Sequence, residues 1–143
     1  GFAQKTNIKE HFGDIDGGGG NSTTISVENG VTLFLSSSDK HAVNNVFLRL
    51  SKAEANKLIS IFEKALADLA KPVQLLKNQT SEKEIGTGPN RMIIVRVIRN
   101  SSGAYLKINN YDNDVINRVP LILHMREAQK YLETLKNAVK SMK

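Results

Sequence analysis

Asn44-Asn-Val-Phe-Leu-Arg-Leu50-Ser-Lys-Ala-Glu-Ala55 returns 73 positions later as Asn117-Arg-Val-Pro-Leu-Ile-Leu123-His-Met-Arg-Glu-Ala128. Asn44 falls on Asn117, Val46 on Val119, Leu48 on Leu121, Leu50 on Leu123, Glu54 on Glu127 and Ala55 on Ala128. In both copies an alternating apolar run gives way to a helix start. The same offset holds outward without a gap: Gly13 meets Gly86, Gly30 meets Gly103, Leu33 meets Leu106 and Asp39 meets Asp112. On the other side Lys57 meets Lys130 and Ala65 meets Ala138. An offset kept through strands, turns and a helix is the mark of a tandem duplication.

Each copy reads as strands followed by a helix. In the first, Thr23 to Val27, Val31 to Ser37 and Val43 to Leu50 are rich in β-branched residues and bounded by turn signals. Asn29-Gly30 joins the first two, because a type I′ turn needs positive φ at both central positions. In the second copy the strands fall at Met92 to Arg99, Ala104 to Tyr111 and Val115 to Leu123. A fourth strand before these three is weakly signalled, around Lys71 to Leu76 for the second copy. Ser51-Lys-Ala-Glu54 fits a capping box. Ala55, Leu58, Ile59, Phe62, Leu66 and Leu69 then form one apolar stripe, repeated in register by Ala128, Tyr131, Leu132, Leu135, Val139 and Met142. Two such stripes need an apolar surface, and one face of the sheet is what the chain offers. The expected fold is α+β: a duplicated antiparallel sheet-plus-helix unit with both helices on one sheet face. Residues 1–22, ending in Asp16-Gly-Gly-Gly-Gly20-Asn-Ser, are expected to be a flexible arm. Residues 23–143 form one domain made of repeat one (23–70), a linker (71–91) and repeat two (92–143).

The chain has 143 residues, enough for a sizeable core, and no cysteine, which removes disulfide and thiolate chemistry. No apolar run approaches the roughly 20 residues needed to span a bilayer. Net charge is +6, unevenly placed: residues 1–70 carry 7 Lys/Arg against 8 Asp/Glu, residues 71–143 carry 13 against 6. That asymmetry favours an acidic partner such as nucleic acid or an anionic surface. Phe2-Ala3-Gln4 resembles the tail of a cleaved signal peptide and points instead to the periplasm or the exterior. Asn21-Ser-Thr, Asn78-Gln-Thr and Asn100-Ser-Ser match the glycosylation pattern, which carries weight only in that context.

Chemistry of the catalytic kind finds no footing. His11, His41 and His124 reproduce no ligand pair between the copies, and Asp112 with Asn113 and Asp114 lacks the glycine and distal Glu of a calcium loop. The glycine run is followed by no Gly-Lys-Ser/Thr. No enzyme activity, metal or cofactor is assigned. The sheet is more informative, since strand side chains alternate faces. With Leu33, Leu35, Val46, Leu48 and Leu50 turned to the helices, Thr32, Phe34, Ser36, Phe47 and Arg49 turn away. In repeat two the same parity exposes Tyr105, Lys107, Asn109, Arg118 and Ile122, with Arg96 or Arg99 nearby. Rings that stack bases beside cations that follow phosphates are what single-stranded nucleic acid requires. Alternatively, Phe34, Phe47 and Ile122 are covered by the N-terminal arm or by a partner subunit, as in a homodimer formed through the sheet or helix face.

Arg96-Val-Ile-Arg-Asn100-Ser-Ser-Gly103-Ala-Tyr-Leu-Lys-Ile108, followed by Val119-Pro-Leu-Ile-Leu123 and His-Met-Arg-Glu-Ala128, resembles a PUR repeat, the module of purine-rich-element-binding proteins. The resemblance implies two intertwined repeats, related in shape to Whirly proteins, that bind single-stranded DNA or RNA on the sheet face. By position it implicates Arg96, Arg99, Asn100, Tyr105 and Lys107. The chain departs from that pattern at Ala104, where a basic or aromatic residue is usual, and in the absence of a cation on the first strand of repeat one (Thr24, Ser26, Glu28). The leading expectation is a non-catalytic single-stranded nucleic-acid-binding module using Phe34, Phe47, Arg49, Arg96, Arg99, Asn100, Tyr105, Lys107 and Arg118. The alternative is an exported domain that uses the same face for protein contacts or self-association.

Overall fold

The structure, a computed structural model, describes residues 7–41, 43–112 and 116–143. Its elements run β1 (Lys9–Asp16), β2 (Ser22–Glu28), β3 (Thr32–Ser38), β4 (Asn45–Leu50) and α1 (Lys52–Leu69). After the linker come β5 (Ser81–Thr87), β6 (Ile93–Asn100), β7 (Gly103–Tyr111), β8 (Arg118–Leu123) and α2 (Met125–Ser141). Each repeat is a four-stranded antiparallel meander, β1-β2-β3-β4 and β5-β6-β7-β8, followed by its helix. The duplication extends to irregularities. A β-bulge interrupts the β1–β2 ladder between His11 and Gly13, and another interrupts β5–β6 between Glu84 and Gly86, at equivalent positions.

The turns are built by the residues that the offset keeps. Asn29 and Gly30 take φ of 54° and 71°, as the hairpin between β2 and β3 demands. Asp39 accepts from the backbone N–H of Val43 (2.8 Å) and Asn44 (3.1 Å). Asp112 does the same for Ile116 (3.0 Å) and Asn117 (3.1 Å). Asp112 and its counterpart Asp39 are thus turn organisers in the two copies. Val115, where the last strand was expected to begin, lies with Asn113 and Asp114 outside the described residues. α1 starts with the expected capping box: Ser51 Oγ accepts from Glu54 N–H, and Glu54 accepts from Ser51 N–H. At α2 the equivalent His124 makes no such bond.

Alternation decides the inward faces. Val46, Leu48 and Leu50 of β4 are buried while Asn45, Phe47 and Arg49 are exposed, and Val119, Leu121 and Leu123 of β8 repeat the buried set. Each such side chain contributes about 1.5–3 kcal/mol by leaving water. The core they join is a single cluster drawn from both repeats. Its connection is crossed: α1 packs mainly on β5, β6 and β7, and α2 on β1 and β2. A side chain at Gly86 would strike Ile61 of α1 at 2.8 Å, and one at Gly13 would press Thr134 of α2 at 3.0 Å. Ile61 and Thr134 are themselves 73 apart. The helices meet at the centre, where Phe62 and Tyr131 stack with ring centroids 4.4 Å apart.

Three expectations are corrected here. The helices do not share one sheet face, because each repeat forms its own sheet and each helix packs mainly on the sheet of the other repeat. Residues 9–16, assigned to a flexible arm (1–22), form β1, and the linker (71–91) contains β5. The fourth strand therefore exists, but at Ser81–Thr87; Lys71 to Leu76 has no regular structure. The bulge explains why both strands escape a period-two reading, since one extra residue reverses the parity halfway along. Both are also edge strands, and their charged residues (Lys9, Glu10, Asp14, Asp16; Glu82, Lys83, Glu84) keep an open hydrogen-bonding edge from pairing with other chains.

Candidate nucleic-acid interface

On β6 and β7 the residues that do not face the helices are Ile94, Arg96, Ile98 and Asn100, and Tyr105, Lys107, Asn109 and Tyr111. The ladder aligns them in rows. Arg96 stands between Glu84 of β5 and Lys107 of β7, and Lys107 in turn faces Ile122 of β8. Ile98 faces Tyr105, whose ring meets that of His124 edge-on with centroids 6.1 Å apart. Tyr111 faces Arg118. A pocket of about 460 Å³ opens at the hairpin end, lined by Asn100, Tyr105, Ile122 and His124. A second, of about 370 Å³, is lined by Asn44, Tyr111, Ile116 and Arg118.

Charge on this face is graded across the strands. Its carboxylates, Glu82 and Glu84, are on β5. Glu84 takes Arg91 at 2.8 Å and lies 3.9 Å from Arg96, and the Arg91 hydrogen bond holds its carboxyl below the usual range. Towards β8, Lys107 and Arg118 make no ion pair or side-chain hydrogen bond among the described residues. At the centre Asn109 is buried, and its Oδ1 accepts no hydrogen bond among the described residues.

The outer face of the first sheet has diverged. β2 and β3 line it with hydroxyls, Ser22, Thr24 and Ser26 beside Thr32, Ser36 and Ser38, and Asp14, Asp16 and Glu28 supply negative charge. Phe34, expected to be open for stacking, is buried. Lys9 Nζ sits 4.0 Å from its ring centroid, Arg49 4.6 Å, and Phe47 stacks beside it at 5.9 Å. Arg49 is further tied to Glu28 at 2.8 Å. Phe47 remains 56% exposed. The residues assigned to the arm therefore cover part of the expected surface: Lys9 caps Phe34, and the Gly17-Gly18 backbone lies against Leu121 and Ile122.

Arg99 is the clearest departure. Three residues from Arg96 along one strand, it must point to the opposite face. It is 7% exposed and reaches α1, with Nη1 donating to Asp68 Oδ1 at 2.9 Å and Nη2 donating to the Asp68 and Lys71 carbonyls. Lys83 Nζ donates to Asp68 Oδ2 at 2.8 Å. The guanidinium fastens the helix of one repeat to the sheet of the other and is not part of the open face. Asn100 is on that face, with its Oδ1 accepting from Ser102 N–H and Oγ to shape the hairpin.

Of the nine expected residues, the structure gathers Arg96, Asn100, Tyr105, Lys107 and Arg118 on one sheet. It places Phe34, Phe47 and Arg49 on the other and turns Arg99 inward. Tyr111 and His124 join the first group. Both were legible by parity, Tyr111 as the next outward position after Asn109 and His124 as the residue after buried Leu123. Arg91, held in a short 3-10 turn with φ of 57°, gave no signal. No family model matches the chain, and no curated protein matches it in sequence.

Proposed function

We propose that this chain is a non-catalytic module that binds single-stranded DNA or RNA across the outer face of the second sheet. The observation that carries the reading is the pair of adjacent rows, Arg96–Lys107–Ile122 and Ile98–Tyr105–His124, with Arg118 beside them and Lys107 and Arg118 unpaired among the described residues. Tyr105 offers a ring to a base, the pocket beside it gives that base room, and Arg96, Lys107 and Arg118 follow the phosphates. The hydroxyl-lined, acid-bearing first sheet is not part of this path. Fluorescence anisotropy of a labelled single-stranded oligonucleotide, titrated at two salt concentrations, tests the reading. Stacking is worth about 1–3 kcal/mol per base, so Tyr105→Ala weakens affinity about tenfold, and Lys107→Ala with Arg118→Ala lowers the log–log salt slope by about 1.4. No binding at low salt refutes it.

A second reading has its own support. Val43, Phe47 and Ile116 are exposed large apolar side chains, Phe47 on β4 and the other two in the loops leading into β4 and β8, whose strands approach each other. Exposed apolar clusters mark protein contacts. Sedimentation of the wild type and of Phe47→Ser decides between them: a concentration-dependent dimer lost in the variant favours self-association.

A further inference from the structure

Most of the excess positive charge is not on the sheet. Half of the net +6 lies on α2 and the Lys143 that follows it, five Lys/Arg against Glu127 and Glu133, turned away from the outer sheet faces. Lys136, Lys140 and Lys143 follow one another at i, i+4 and i+7 along the last turns of α2 and just beyond it, and Lys52 opens α1; all four are exposed. Lys52 Nζ donates to the Met142 carbonyl at 3.1 Å, which ties the start of α1 to the end of α2. The Lys143 backbone N–H donates to the Gly30 carbonyl at 2.8 Å and fixes the chain terminus in place. Lys136 lies 4.0 Å from Glu63, the sole exposed acid on α1. Part of this charge offsets the negative end of the α2 dipole, but one cation is enough for that.

We infer that this lysine patch is a second docking surface, for the phosphodiester backbone of a nucleic acid, read by charge alone. Three features set its chemistry. All four cations are lysines, compact charges without the planar fork that reads guanine edges. No aromatic side chain is exposed on either helix, so bases find nothing to stack on. Neither helix carries an exposed large apolar side chain, which a helix lying on a lipid surface needs. The partner is therefore a polyanion whose bases can stay hidden, such as a duplex. Where the sheet also holds a single strand, a consequence that rests on the proposed function, one molecule links two nucleic-acid segments from opposite sides.

The test titrates a 24-base-pair DNA duplex, a single strand of the same length and vesicles of anionic lipid with the wild type. The same titrations use the quadruple variant K52Q/K136Q/K140Q/K143Q and the sheet variant Tyr105→Ala/Lys107→Ala. Gln keeps helix propensity, so circular dichroism of the quadruple variant stays unchanged. The expected result is duplex binding with a log–log salt slope of about −3 to −4, weakened at least tenfold in the quadruple variant and intact in the sheet variant. Duplex affinity unchanged by the four substitutions overturns the inference, and so does vesicle binding that exceeds duplex binding and disappears with the same lysines. If the sheet variant keeps its single-strand affinity, the sheet-face reading fails while the helix patch stands.

Discussion

Replacing Arg99 with Ala separates a structural guanidinium from a binding one. The side chain is nine-tenths buried, donates to one carboxylate oxygen and two carbonyls, and clamps the end of α1 to β6. Removing one partner of a buried ion pair costs about 3–5 kcal/mol. Here Asp68 keeps Lys83, whose side chain is 59% exposed, so its carboxylate is not left bare and the lower end applies. A loss of about 3 kcal/mol is a large share of a domain's 5–15 kcal/mol, and lowers the melting temperature by roughly 10 °C. Urea denaturation of wild type, Arg99→Ala, Asp68→Ala and the double variant gives the numbers, with a coupling of about 1–3 kcal/mol between the two sites. Oligonucleotide affinity of the folded Arg99→Ala protein at low temperature stays within twofold of wild type. A stability loss under about 1 kcal/mol together with a tenfold drop in affinity would falsify this, and would return Arg99 to the interface.

Asp68 also sets an acid limit. Hydrogen bonds from Lys83 and then Arg99 hold its carboxyl below the ordinary value of 3.8. A folded-state pKa below the unfolded one adds stability above the unfolded value, and that stability is lost as pH falls through the folded pKa. Melting curves from pH 6 down to pH 2 fall less steeply for Asp68→Asn, and parallel curves argue against the pair. Tyr131 is fully buried against Phe62, and its hydroxyl has no partner among the described residues; burial pushes its pKa well above the ordinary tyrosine value of 10.0. Tyr131→Phe removes that uncompensated group and raises stability by about 1 kcal/mol, some 4 °C in melting temperature. A lower melting temperature shows that the hydroxyl is satisfied. Gly86→Ala drives a Cβ against Ile61 at 2.8 Å and costs about 1–3 kcal/mol, recovered in part by Ile61→Val. A neutral Gly86→Ala means that α1 does not lie on β5.

The duplication, hairpins, capping box and inward faces were legible because each rests on local chemistry repeated twice. Val46, Leu48 and Leu50 could be assigned to the core from spacing alone, since a strand offers two faces. What escaped depends on partners distant in sequence. β1 and β5 are charged and bulged, and exist because β2 and β6 present an open edge to pair with. Phe34 is buried by Lys9, 25 positions earlier. Arg99 differs, because parity already separated it from Arg96, but nothing local named Asp68 as its partner. On the candidate site, Tyr105, Lys107 and Arg118 were found by period two, whereas the lysine patch arises where two helix ends from different repeats meet.

The crossed packing of α1 and α2 bears on where such a chain comes from. Each half, taken alone, has a sheet whose covering helix belongs to the other half. A single ancestral half could complete its core by exchanging helices with an identical copy about a two-fold axis, which near Glu63 and Lys136 still passes between equivalent positions. Fusion of two such genes would replace association by a covalent link, the stretch between α1 and β5, and free the copies to specialise. The open face of one copy is basic and aromatic; that of the other is hydroxyl-lined and acidic. Cut within 72–79, the two fragments are expected to be unfolded apart and to reassemble on mixing, reversing the fusion in a test tube.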